Sequence, residues 1–147
     1  MNLPQGRWSA QIDLRVALGY LSLVTAQIGF WALLAPRSCY DGFPGPGRAW
    51  VAADGPHNEH LIRDVGALNL ALLVVLVAAA VKLTRQLLMI AAVATAAWGV
   101  PHLLYHLFNT DNLATDDLLL SIGGLVAFVG FSVVLAISAR NPNLART

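Results

Sequence analysis

The sequence predicts an all-α protein, an integral membrane four-helix bundle forming one transmembrane domain over residues 1–147. Three observations carry this. First, 57% of the residues are hydrophobic and 12% charged, where soluble domains hold about a quarter charged residues, and the mean hydropathy is +0.64. Second, the charges leave four charge-free runs, Val16 to Pro36, Val65 to Val81, Gln86 to Thr110 and Leu118 to Ala139. A helix rises about 1.5 Å per residue and needs about 20 residues to cross the hydrocarbon layer. Third, the charges that flank these runs fall on two sides of opposite net sign.

Because backbone groups in lipid must bond within their own segment, each run is read as a helix. The first span covers about 13–36. Arg7 and Arg15 precede its apolar run from Val16 as in a cleavable leader, but that run exceeds a leader's, and Leu33-Leu34-Ala35-Pro36 makes a poor cleavage site. A long connection follows, roughly Arg37 to Pro56. Phe43-Pro44-Gly45-Pro46-Gly47 is dense in turn formers, and Tyr40, Phe43 and Trp50 suit it to lie on the membrane interface. Asp54-Gly55 ends it, and Pro56 is placed to start the second span, about 57–82. Lys82-Leu83-Thr84-Arg85 allows only an antiparallel hairpin into the third span, about 85–109. Asn109 to Ala114 joins this to the fourth, about 115–140, whose first turn holds Asp116 and Asp117.

With the termini and the Lys82–Arg85 turn on one side, that side carries Arg7, Arg15, Lys82, Arg85, Arg140 and Arg146 against Asp13 alone. The other carries Arg37, Arg48 and Arg63 against Asp41, Asp54, Glu59, Asp64, Asp111, Asp116 and Asp117. The positive-inside rule then predicts N-in/C-in in the cytoplasmic membrane, with the long loop outside. Small residues at contact spacing, such as Gly29, Gly66 and Gly99, suit close helix packing or contacts between copies.

The polar residues within the spans mark the candidate site. His57, His60 and Asp64 are spaced as one helical stripe, Glu59 and Arg63 form an i, i+4 pair, and His102 and His106 are i, i+4 on the third span. Gln27, Asn69 and His102 lie in one layer about 12 Å below the outer ends. Ionisable groups at such depth face a bundle interior or cavity. Pro101 frees the carbonyl of Ala97 and predicts a kink just before His102. Four uses are open: a satisfied polar network between helices; a divalent transition metal held by His60, Asp64, His102, His106 and Glu59; a non-covalent haem b between a second-span and a third-span histidine; or a proton or small-solute path. Gln27, Asn69 and Arg63 are the candidate contacts to a bound cofactor. Asn69 is expected to bond across to Gln27 or the His102 region.

Other classes are excluded by pattern. No CxxC or Cys/His zinc spacing accompanies the single Cys39, and Ser22, Ser121 and Ser132 lie outside any GxSxG context. No phosphate-binding glycine loop exists. A net charge of +1 offers no basic patch for nucleic acid.

Pro44-Gly45 with Gly47-Arg48-Ala49-Trp50-Val51, the block Gly55-Pro56-His57-Asn58-Glu59-His60-Leu61-Ile62-Arg63-Asp64-Val65-Gly66-Ala67, and Pro101-His102 with His106 resemble a family of small four-helix membrane proteins of actinobacteria. More loosely, the chain is similar to DoxX-like bundles, some of which are membrane subunits of redox complexes. The resemblance implies the four-helix topology and points to Asn58, Glu59, His60, Arg63, Asp64, His102 and His106. Relatives carry tyrosine at the position of His57, which makes it the weakest ligand. No activity comes with it. The function expected is metal-, haem- or quinone-linked redox or small-molecule binding in the outer half of the membrane. The alternative is a non-catalytic accessory or scaffold subunit that docks a membrane partner.

Overall fold

The computed structural model describes residues 5–141, with side chains described from Leu14 onward. Of the charges used for orientation, Arg146 lies outside the described residues, and Arg7 and Asp13 lie outside the described side chains. The described chain is a bundle of six helices: α1 (Gln5–Leu34), α2 (Pro36–Gly42), α3 (Trp50–Asp54), α4 (Glu59–Lys82), α5 (Arg85–Phe108) and α6 (Thr115–Arg140). Four of them, α1 from Leu14, α4, α5 and α6, are long and apolar enough to cross a membrane. Their outward faces are as apolar as their inward ones: Leu23, Leu68, Val74, Val81 and Ile137 all stand exposed. Such a surface suits lipid and supports a multi-pass membrane protein.

Local chemistry sets the boundaries, and several differ from expectation. The first span, Leu14–Leu34 within α1, stops at Leu34 because Pro36 opens a new helix, α2, from its first turn. The long connection is thus partly helical, holding α2 and α3. The second span begins at Glu59, where the Asn58 side chain accepts a hydrogen bond from the Leu61 N–H. Its end is set by Leu83, the one described non-glycine residue with positive φ, at 49°. Thr84 then caps α5 by accepting from the Leu87 N–H. α5 runs as one helix to Phe108 with Pro101 inside it, and α6 has the bounds the sequence predicts.

The helices pair as α1 with α4 and α5 with α6, with lighter contact between pairs. The α1–α4 crossing depends on glycine: a Cβ added to Gly66 would stand 2.5 Å from the Leu33 nitrogen and 3.0 Å from the Gly29 oxygen. At the α5–α6 crossing Gly99 faces the ring of Phe128. Toward the Lys82–Arg85 turn the interior is solid, filled by Leu14, Leu18, Leu21, Leu76, Leu88 and Leu135. Toward the opposite end the pairs part around a cavity.

Candidate functional site: a roofed cavity between the helix pairs

The cavity measures about 460 Å³. Tyr20, Val24 and Ile28 of α1, Val65 of α4, Trp98, His102 and His106 of α5, and α6 from Leu120 to Phe128 form its walls. Phe43 and Pro44, with Trp50, Val51 and Asp54 of α3, form its roof.

The roof is fastened on several sides. Gln27 of α1 donates from Nε2 to the Pro44 carbonyl at 3.1 Å, and the Tyr40 hydroxyl donates to the Gly55 carbonyl at 2.7 Å. Arg48 pairs with Asp117 in the first turn of α6. Asn112 donates to Asp54 at 3.2 Å. The turn at Gly47, with φ of 79°, needs a residue free of a Cβ. Phe43 packs tilted against Trp31 and edge-on against Trp50, so these aromatic residues also close this end of the bundle.

Inside, α5 presents one stripe of rings at four-residue spacing, Trp98, His102 and His106. Trp98 meets His102 edge-on at 4.8 Å, and the two imidazoles stack at 5.1 Å with their Nε2 atoms 3.2 Å apart. A hydrogen bond between two neutral imidazoles uses one N–H and one lone pair, so the pair still presents one donor and one acceptor nitrogen. The Trp50 Nε1 is buried and finds no acceptor among the described residues. Asp54 is close enough to interact electrostatically with His102. The rest of the wall is apolar apart from the Tyr20 hydroxyl, which donates to the Gly124 carbonyl at 3.2 Å, and Ser121.

The expected site divides on this geometry. Of its residues, His102 and His106 line the cavity; His60, Asp64, Glu59, Arg63, Gln27 and Asn69 do not. His60 pairs with Asp64 at 3.4 Å on the outside of α4, its side chain 89% exposed. Glu59 holds Arg63 at 2.9 Å, and Arg63 also donates to the Leu33 carbonyl, satisfying the C-terminal end of α1. His57 precedes α4 and lies edge-on to Tyr40, so it does not join the stripe. The expected convergence of His60, Asp64, His102 and His106 is therefore corrected. Among the described residues no three His, Cys, Asp or Glu side chains form a group that could hold a metal. Neither His57 nor His60 lines the cavity, so the expected pairing of a second-span with a third-span histidine across a haem is not made. Asn69 is also corrected: 1% exposed, it donates to the Val65 carbonyl of its own helix, and its Oδ1 has no partner among the described residues.

Sequence reasoning missed Tyr20, Trp50, Asp54, Trp98 and Phe128. Trp98 carried a signal, since it continues the His102–His106 spacing one turn back, whereas Asp54 reads in sequence only as part of a stop. No family model, curated protein or solved structure matches the chain, so the function is to be read from this cavity.

Proposed function

We propose that the protein is a membrane-embedded binding protein for a small lipid-soluble molecule that carries a polar group. The observation behind this reading is the His102–His106 pair facing an otherwise apolar, aromatic cavity of about 460 Å³. Small-molecule sites are clefts of about 300–1,000 Å³ with mostly apolar walls and a few convergent polar groups. Of the chemistries the sequence leaves open, this donor set favours uptake of an organic molecule, a quinone among them. Two imidazoles from one helix without a third ligand do not favour a metal ion.

The test is tryptophan fluorescence of detergent-purified protein titrated with 2-methyl-1,4-naphthoquinone, whose carbonyls accept hydrogen bonds and whose ring quenches indole. Gly124 lies on the wall, and a Cβ there meets nothing within 4 Å. Gly124→Leu should narrow the cavity and weaken binding by about tenfold or more. Its melting temperature should hold or rise, since a glycine inside a helix costs about 0.5–1 kcal/mol. Saturable quenching of Trp50 and Trp98 in the wild type, lost in the variant, supports the reading. Linear quenching identical in both sinks it.

We assign the cavity end to the outside of the cytoplasmic membrane, on the charge asymmetry of the two ends. The native Cys39 is a silent background for labelling: it is buried, and burial pushes its thiol pKa up, which leaves less thiolate. A membrane-impermeant maleimide should reach Thr110→Cys in intact cells and leave Gln86→Cys unlabelled. The reverse pattern would turn the molecule over.

A further inference from the structure

On the reading of the cavity as a small-molecule site, we propose that its ligand is a lipophilic organic cation, an amine or onium bearing apolar groups, with Asp54 as counter-charge. Its walls are the rings of Tyr20, Phe43, Trp50, Trp98 and Phe128. Aromatic faces carry negative potential and attract cations, and Asp54 stands at the exposed end of the cavity. Among the described residues lining the cavity, Asp54 is the only Asp, Glu, Lys or Arg. One of its oxygens accepts from Asn112 at 3.2 Å, and the other has no hydrogen-bond partner among the described residues.

No described arginine or lysine pairs with Asp54, and the titratable side chain near it is His102. The three arginines of this end are each held by another carboxylate: Arg37 by Asp41 at 2.7 Å, Arg48 by Asp117, and Arg63 by Glu59 at 2.9 Å. Seven acidic residues stand against those three arginines at the cavity end. A field of one sign raises the local concentration of opposite charge. The free acceptor nitrogen of the His102–His106 pair can take a proton donated by an ammonium group. An anion of the same shape meets the same carboxylate and ring faces and is repelled.

Tetraphenylphosphonium and tetraphenylborate are matched in shape and opposite in charge, and tryptophan quenching in detergent reads both. The phosphonium should bind at least about tenfold more tightly than the borate. Asp54→Asn keeps an acceptor for Asn112 and should erase the preference, whereas Asp54→Glu should restore it. Equal affinities, a preference for the borate, or a preference that survives in Asp54→Asn would overturn the proposal. If 2-methyl-1,4-naphthoquinone binds in a Gly124→Leu-sensitive way while the phosphonium shows no advantage, the charge inference falls and the site stands. If no probe binds, both fall.

Discussion

Gly66→Ala should lower the melting temperature of the purified protein sharply, and more than Gly29→Ala. The added methyl would sit 2.5 Å from the Leu33 nitrogen and 3.0 Å from the Gly29 oxygen and the Leu33 Cα. All three are backbone atoms, so no side-chain rotation relieves the overlap, and α1 has to move away from α4. Overpacking in a tight interior costs about 1–3 kcal/mol. Here the Arg63 bond to the Leu33 carbonyl would be stretched as well. At Gly29 the nearest atoms, at 2.6 and 2.9 Å, belong to the Leu70 side chain, which has rotamer freedom to yield. A Gly66→Ala protein that melts with the wild type would show that the helices do not cross this closely.

Phe128→Ala should be the second large effect. The ring is 1% exposed, packs against Trp98 at 5.0 Å, and fills the space that Gly99 leaves on α5. Truncating a buried phenylalanine to alanine costs about 3–5 kcal/mol, part of it for the void left behind. Phe128 also lines the cavity, so the void joins the binding space. Phe128→Leu, which keeps most of the volume, should lose clearly less stability. Comparable melting of the alanine and leucine variants would mean that the ring is not a packing element.

The spans were legible because lipid imposes a length and a charge-free composition on each, as the run from Leu118 to Ala139 and the helix Thr115–Arg140 show. The cap of α4 was not legible: Pro56 was expected to start this span, whereas the Asn58 side chain caps the helix that begins at Glu59. The site was half legible. His102 and His106 share a helix, so their spacing fixes their meeting; the partners of His60 depend on how α4 is rotated, which the small-residue spacing was not used to fix. Rotation of α4 is set at Gly66, where the only face that tolerates the α1 backbone must point inward. That choice turns His60 and Asp64 outward. The contribution of Trp50 and Asp54 was illegible for a different reason, since α3 is five residues long and its position is set by tethers to distant parts of the chain.

The roof and the floor of the cavity are held by different forces. Arg48 with Asp117, Asn112 with Asp54, and Gln27 with the Pro44 carbonyl are polar links, whereas Leu14, Leu18, Leu88 and Leu135 below are joined by contact alone. Mobile ions screen charge pairs near the surface over about 10 Å at 0.1 M and leave apolar contact nearly untouched. Ionic strength therefore bears on the Arg48–Asp117 link of the roof and leaves the packing below it nearly untouched.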